Sequence, residues 1–202
     1  MNKITKTISL SLVLFFSTLL FSACSQKKED TNYLDMDNSS NQQNQINLNV
    51  TPATTNTTQD TIVGLKTKDG QIVIKLYSKE APNTVANFLK KVNSGSYNGL
   101  TFHRVEPDFV VQGGDPLGNG TGGGKIKSEI NTIPFKRGSV GLARGPIKEE
   151  SNDSQFYICL ADESCSHLTN EYVNFGEVIT GMEFVDKIAV GDKILEISSH
   201  TK

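Results

Sequence analysis

The sequence has few of the side chains from which metal centres and covalent active sites are built. It contains three histidines, His103, His167 and His200, and three cysteines. No two histidines stand four residues apart and no Cys-x-x-Cys pair is present, so the usual metal-site spacings are missing. Cys165 lies two residues from His167, but that spacing alone is weak evidence for a thiol nucleophile. We therefore predict no metal site and no covalent mechanism.

An excess of charge of either sign is also absent. Residues 61–202 carry 16 Lys or Arg and 17 Asp or Glu, a net charge of −1. Electrostatic binding to a phosphate backbone is typical of clearly basic domains. We expect no nucleic acid among the partners.

The glycine-rich segment GGDPLGNGTGGG lacks the neighbours that a phosphate loop needs. Gly118, Gly120 and Gly123 fit the pattern G-x-G-x-x-G, but that pattern binds phosphate only before a helix N-terminus. Here KIKSEINTIPF follows, without helical periodicity, and Ile126 stands where a P-loop needs Ser or Thr. We predict no bound nucleotide and no cofactor.

Long apolar runs are absent except near the N-terminus. Lys3 and Lys6 flank the start of a largely apolar run from residue 8 to residue 21, which is short for a membrane span. Residues 1–24 are therefore predicted to be a signal peptide. The run ends in LFSAC, which resembles the lipobox of bacterial lipoproteins, although Phe21 stands where leucine is more usual.

The lipobox resemblance implies that Cys24 is lipidated and that the protein is a membrane-anchored, extracytoplasmic lipoprotein of the bacterial cell envelope. The alternatives are a signal cut near Ala23 without lipidation, or an uncleaved anchor. Residues 25–60 hold 12 Asn or Gln and 9 Ser or Thr among 36 residues, so we predict a disordered tether. Residues 61–202 are long enough for one domain with a single core.

Many short strands are predicted in this domain. TIVGLKT and QIVIKLY are joined by Asp69-Gly70, which is typical of a hairpin. Five further runs and a last strand near residues 194–197 follow: LTFHRV, DFVVQGG, SVGLA, SQFYICL and VNFGEVI. APNTVANFLKKVNSG has helical periodicity, and a second short helix is predicted at 182–188. The pattern favours a mostly antiparallel barrel or sandwich whose ends are covered by helices.

Arg104 is unusual because it stands among aromatic and aliphatic residues in TFHRVEPDFVVQGGDP. Together with the neutral amides of Gln112 and Gln155 it cannot readily perform acid–base or covalent chemistry. Such groups can bind an apolar ring and donate hydrogen bonds to a peptide. Rotation about an X-Pro bond needs no more, because a donor aimed at the prolyl nitrogen favours the deconjugated form found only near the transition state.

Several motifs together resemble the cyclophilin family of peptidyl-prolyl isomerases: FHRVEPDFVVQGGDP, GNGTGG, GLAR, SQFYI and VNFGEVITGMEFVDKI. The resemblance runs from about residue 62 to residue 197, and the F-H-R…Q-G-G-D block is highly specific. It implies a mostly β fold, an eight-stranded antiparallel closed barrel capped by two α-helices. Its implied partners are proline-containing peptides and unfolded or folding proteins, and we expect a monomer.

The resemblance also implies roles for individual residues. Arg104 is similar to the family's catalytic arginine, Phe109 to the floor of the proline pocket, and Gln112 to the glutamine that bonds the substrate backbone. The positions that resemble the rest of the substrate groove are Val110, Gly120, Ala143, Arg144, Gln155, Tyr157, His167, Leu168 and Tyr172.

Three of these positions depart from the best-known members. Tyr157 replaces a common phenylalanine and Tyr172 a histidine, and both keep an aromatic body. His167 stands where many members have tryptophan, which implies weak binding of cyclosporin. The acidic segment KEESND before Ser154 also differs and could bias which peptides bind.

Alternatives stay open beside the favoured function, a surface-tethered prolyl isomerase that assists folding outside the cytoplasm. A binding module could hold client proteins without turnover. A structural surface lipoprotein would need neither client binding nor isomerase activity. Arg104, Phe109 and Gln112 favour the enzyme, because a pure binder does not need that arginine. Arg104 could instead form a buried ion pair, and the two glutamines could merely satisfy backbone groups at the barrel end.

Two cysteines remain once Cys24 is assigned to lipid, in a compartment that permits disulfides. Cys159 lies in the apolar run FYICL, where a buried free thiol is the expectation. A bridge from Cys159 to Cys165 is the alternative.

Overall fold

The structure, a computed structural model, describes residues 61–201. The predicted signal peptide (1–24) with Cys24 and the predicted tether (25–60) lie outside the described residues, so these assignments stay predictions. Within the described range, no helix combines the length and the apolar character needed to cross a membrane.

The described residues form ten strands, three α-helices and one 3-10 turn. The strands are β1 (Thr61–Lys66), β2 (Gln71–Leu76), β3 (Phe102–Glu106), β4 (Val110–Gly113), β5 (Lys125–Lys127), β6 (Ser139–Leu142), β7 (Glu150–Asn152), β8 (Phe156–Cys159), β9 (Asn174–Thr180) and β10 (Glu196–Thr201). The helices are α1 (Pro82–Asn93), α2 (Asp162–Cys165) and α3 (Met182–Val185), and the 3-10 turn is Ser166–Leu168.

Eight strands form one curled antiparallel sheet in the order β10-β1-β2-β9-β6-β8-β4-β3, while β5 and β7 pair separately. The expected closed barrel is not confirmed, because no ladder among the described strands joins the edge strands β3 and β10. The first residue of β3 and the chain just before each edge strand span the gap instead. Phe102 N–H donates to the Asp192 carbonyl at 2.8 Å, and Ile194 N–H donates to the Leu100 carbonyl at 2.9 Å. The sheet is therefore an open half-barrel whose edges are linked by irregular backbone.

The hairpin predicted from Asp69-Gly70 is confirmed. β1 and β2 pair antiparallel from Thr61 opposite Leu76 to Lys66 opposite Gln71. In β2 the residues Ile72, Ile74 and Leu76 are buried and alternate with more exposed ones, which is the pattern of a strand with one face on the core.

The predicted first helix is also confirmed, as α1. Pro82 occupies its first turn, where a missing N–H costs nothing, and Thr84, Val85, Phe88 and Val92 form its buried face. The Phe88 ring lies 5.2, 5.6 and 5.1 Å from the ring centroids of Tyr97, Phe156 and Phe175. These aromatic contacts dock α1 onto the main core.

A smaller apolar cluster lies apart from the main core. Its buried members are Val110, Phe135, Tyr157, Cys159, Cys165 and Leu168, with Phe109 and Tyr172 packed against them. Cys159 and Cys165 are joined by a disulfide with Cα atoms 6.2 Å apart, a separation typical of such bonds. The expectation of a free thiol at Cys159 is therefore wrong, because α2 returns Cys165 to the end of β8.

Candidate active site

Strands β3 and β4 bring Arg104 and Gln112 together. The two residues lie opposite each other in the ladder, so their side chains emerge side by side on one face. Nη1 of Arg104 donates to Oε1 of Gln112 at 2.9 Å, and Nε2 of Gln112 donates to Oε1 of Gln155 at 2.9 Å. Nε2 of Gln155 donates in turn to the carbonyls of Gly120 and Gly122 at 3.1 and 2.8 Å. The predicted arginine and both glutamines thus form one connected hydrogen-bond chain.

An apolar pocket of about 150 Å³ lies beside this chain. Val110, Tyr157 and Leu168 are buried in its wall, whereas Arg104, Gln112 and Arg144 contribute polar side chains. Nine residues line the pocket, and each was predicted to belong to the site: Arg104, Phe109, Val110, Gln112, Ala143, Arg144, Tyr157, Leu168 and Tyr172. A concave apolar lining with a few convergent polar groups is typical of a ligand site.

Stacked aromatic rings hold one wall of the pocket. The ring of Tyr157 stacks on Phe135 at 5.8 Å and meets Tyr172 edge-on at 6.0 Å. A Cβ on Gly141 would collide with the Tyr157 ring, so the glycine makes room for that tyrosine. Burial raises the pKa of Tyr157 well above its usual value, so the phenol stays neutral. Its hydroxyl has no hydrogen-bond partner within residues 61–201.

Arg104 is not buried, since 40% of its side chain is exposed. Its Cζ lies 5.8 Å from the centroid of the Phe109 ring. Nε and Nη2 donate to Oε1 of Glu106 at 3.0 and 2.7 Å. The alternative of a buried structural ion pair is therefore wrong, because both partners face solvent at the pocket.

Arg144 fixes the opposite side of the pocket. Its Cζ lies 4.4 Å from the centroid of the Tyr172 ring, and its Nε donates to the carbonyl of Glu171 at 3.0 Å. Nη2 also lies 3.6 Å from Oε2 of Glu171. Cation–π contact and hydrogen bonding together hold Tyr172 against the pocket.

A second cavity of about 380 Å³ adjoins the first and contains the predicted Gly120 and Gln155. The two cavities share Gln112, Ala143 and Arg144. The remaining lining residues of the second cavity were not assigned to the site from the sequence: Thr121, Gly122, Gly123, Gly124, Lys125, Gly145, Pro146, Ile147, Glu150, Ser151 and Asn152.

The predicted His167 lines neither cavity. Its exposed ring stacks on Phe109, with centroids 5.7 Å apart and planes 26° from parallel. It therefore contacts a residue that lines the pocket.

The glycine-rich loop is organised around the buried carboxylate of Asp115. Its oxygens accept the N–H groups of Leu117, Asn119 and Gly120 at 3.0, 2.9 and 2.6 Å. Burial raises the pKa of this carboxyl, but the three backbone donors together with the charge of His103 outweigh burial and hold the pKa below its ordinary value. The loop therefore binds its own aspartate, which fixes the Gly120 carbonyl that Gln155 contacts.

Sequence reasoning missed Glu106, Phe135, Gly141 and Asp115 as contributors to the site. A signal was available for Glu106, because residues two apart in a strand share a face. The other three act through packing or loop closure, and no spacing in the sequence indicates those contacts. Among residues 61–201, no three His, Cys, Asp or Glu side chains form a group that could hold a metal. Independence from metals and cofactors stays a prediction.

Comparison with known proteins identifies the family. The family described as "Cyclophilin type peptidyl-prolyl cis-trans isomerase/CLD" matches residues 62–199. A peptidyl-prolyl cis-trans isomerase of Helicobacter pylori is 42% identical over 136 residues, covering 64% of this chain and 81% of the relative. Peptidyl-prolyl cis-trans isomerase B of Bacillus subtilis is 42% identical over 133 residues, covering 64% and 92%.

A solved structure also resembles this chain. The crystal structure of a Cryptosporidium parvum cyclophilin type peptidyl-prolyl cis-trans isomerase, in the presence of the dipeptide Ala-Pro, has a TM-score of 0.64 and 28% sequence identity. The match covers 70% of this chain and 99% of that one. The family match spans more than half of the chain, and the relatives are named for one activity. The chain belongs to the cyclophilin family and is a peptidyl-prolyl cis-trans isomerase.

Proposed function

We propose that this isomerase assists the folding of proteins outside the cytoplasm while a lipid on Cys24 holds it at a membrane surface. Support comes from the first 60 residues, in which an apolar run ends at LFSAC and a long polar segment follows. Uncatalysed X-Pro isomerisation takes tens to hundreds of seconds, so it limits the folding of many proteins. The substrates are proline-containing segments of unfolded or folding chains, and the protein acts as a monomer.

In this proposal the apolar pocket binds the proline ring. Phe109, Val110 and Leu168 supply apolar contact, and the walls formed by Tyr157 and Tyr172 exclude water. A solved relative crystallised in the presence of Ala-Pro supports a small proline-containing ligand. Gln112 bonds the peptide backbone next to the bound ring, and the neighbouring cavity receives the residues before the proline.

Arg104 is the catalytic residue in this proposal. A guanidinium carries five N–H groups, and three of those in Arg104 donate to Glu106 and Gln112. One N–H on each terminal nitrogen is left to approach the prolyl nitrogen. That nitrogen gains a lone pair only as the amide loses conjugation, so the donor stabilises the transition state more than the planar ground state. The single observation that carries this role is the position of Arg104 on the pocket wall.

The catalytic role is tested with Arg104→Ala. We expect kcat/KM to fall about 10- to 100-fold, as for the loss of a charged hydrogen bond, while peptide affinity changes little. Arg104→Lys should rescue only part of the rate, since an ammonium cannot reproduce a planar fork.

The control is Arg137→Ala, because Arg137 is equally exposed and pairs with Asp186 outside the site. Arg104→Ala at the parent rate would disprove the catalytic role of Arg104 and leave the isomerase assignment, which rests on the family match, intact.

Anchoring is tested separately with Cys24→Ala in cells. We expect the variant to leave the membrane fraction or to accumulate as an unprocessed precursor. Cys165→Ala serves as the control, since it removes a cysteine that is already engaged in a disulfide. Unchanged fractionation and gel mobility of Cys24→Ala would disprove the lipid anchor and leave the isomerase assignment intact.

A further inference from the structure

Glu106 lies beside Arg104 on the face of the β3–β4 ladder that forms the pocket. The two residues are two apart in β3, so their side chains point the same way. In the ladder Arg104 pairs with Gln112 and Glu106 pairs with Val110. An acidic side chain therefore stands next to the arginine at the edge of the proline pocket.

Hydrogen bonds to Glu106 and Gln112 hold the guanidinium of Arg104 from two sides. Nε and Nη2 donate to one carboxylate oxygen of Glu106 at 3.0 and 2.7 Å, while Nη1 donates to Gln112 at 2.9 Å. Both Glu106 bonds end on the same oxygen and hold one edge of the guanidinium there, while the bond from Nη1 to Gln112 holds its other side, so the group is fixed at two points besides its covalent attachment. The remaining N–H groups then have a defined direction.

We propose that Glu106 is a positioning residue that orients the guanidinium of Arg104 before substrate binds. This inference rests on the catalytic role proposed for Arg104. A half-exposed arginine samples many rotamers, and ordering it only in the transition state would cost part of the stabilisation that it provides. Glu106 orders the side chain in the free enzyme, so that cost does not fall on the chemical step.

The carboxylate has an opposing effect, because its charge partly neutralises the guanidinium and weakens it as a donor. Half of the Glu106 side chain is exposed, at 50%, so water screens this electrostatic effect. The geometric constraint is not screened. We therefore expect orientation to outweigh neutralisation.

The experiment measures kcat and KM for Glu106→Ala in the full chain. We expect kcat to fall about threefold to tenfold, the range for one lost hydrogen bond, with KM nearly unchanged. Glu106→Gln keeps an acceptor oxygen and should recover part of the rate. Asp186→Ala is the matched control, because Asp186 pairs with Arg137 at the same 2.7 Å and with similar exposure.

Two further measurements separate positioning from a structural effect. In the Arg104→Ala background, Glu106→Ala should cause no additional loss, since no guanidinium remains to be oriented. By NMR, the Nε proton of Arg104 should exchange faster with solvent in Glu106→Ala than in the parent or in Asp186→Ala.

The outcomes distinguish this inference from the proposed function. If Arg104→Ala is slow and Glu106→Ala keeps the parent rate or exceeds it, the positioning role is wrong and the catalytic arginine stands. An equal Glu106→Ala loss in both backgrounds also overturns the positioning role. If Arg104→Ala itself keeps the parent rate, the proposed catalytic role fails and the role of Glu106 in turnover fails with it.

Discussion

The exposed ring of His167 stacks on the ring of Phe109, with 5.7 Å between the two centroids. Phe109 itself lines the pocket, so His167 lies next to the site. A histidine covers less of the phenylalanine than an indole would.

We predict weak cyclosporin binding that His167→Trp strengthens. The larger ring adds apolar contact beside Phe109, worth about 25 cal/mol for each Å² buried. Affinity measured by calorimetry should rise in His167→Trp and stay unchanged in His200→Trp, which places the same ring on β10 instead. Equal affinities in all three proteins would show that the bound ligand does not reach position 167.

We predict that Tyr157→Phe stabilises the protein. The ring keeps its contacts with Phe135 and Tyr172, while the buried hydroxyl that lacks a partner within residues 61–201 is removed. Leaving such a group unsatisfied costs about 1–3 kcal/mol, so denaturant melts should show a gain of that order.

Tyr97→Phe is the control for this prediction. The Tyr97 hydroxyl donates to the Ser154 carbonyl at 3.0 Å, so its removal should lower stability. Destabilisation of both variants would mean that the Tyr157 hydroxyl has a partner in solution.

We predict that the Cys159–Cys165 disulfide stabilises the domain by about 2 kcal/mol, the chain-entropy value for a loop this short. The bond closes a segment of sequence separation 6 and ends three residues before Leu168, which lines the pocket. Cys165→Ala should therefore lower the melting temperature and raise KM.

A dithiol reductant should destabilise the parent in the same way and leave Cys165→Ala unaffected. Identical melting of the parent with and without reductant, with its thiols shown to be free, would contradict the prediction.

We predict that Asp115 makes stability depend on acid pH. The folded-state pKa of its carboxyl lies below the ordinary value of 3.8, because three backbone donors and the charge of His103 outweigh burial. The stabilisation is therefore complete above the unfolded-state pKa and is lost as pH falls through the folded-state value. Melting temperatures measured from neutral pH downward should fall less steeply in Asp115→Asn than in the parent. Parallel curves would assign the acid sensitivity to other carboxyls.

Local patterns in the sequence predicted much of this fold. The Asp69-Gly70 turn indicated the β1–β2 hairpin, and helical spacing indicated α1, because both depend on residues close in sequence. The pair β5–β7 was missed. Each strand has only three residues, too few to show an alternation of apolar and polar side chains. The two strands also lie about 25 positions apart in the sequence.

The candidate site was also predicted only in part from the sequence. Motif resemblance gave all nine residues that line the pocket of about 150 Å³, and seven of them lie in the motif runs FHRVEPDFVVQGGDP, GLAR and SQFYI. It did not give the Cys159–Cys165 bond, which depends on the chain reversal at α2. Nor did it give the contact of Glu106 with Arg104, although strand periodicity alone was sufficient to indicate it.

The separation of the two apolar clusters makes the pocket open to redesign. Phe88, Phe156 and Phe175 hold the sheet together from the main core, whereas the side chains that shape the pocket belong to the smaller cluster. Substitutions at Phe135 or Leu168 therefore change the shape of the binding surface without emptying the main core. Laboratory evolution aimed at a new peptide preference can therefore vary the smaller cluster while the composition of the main core stays unchanged.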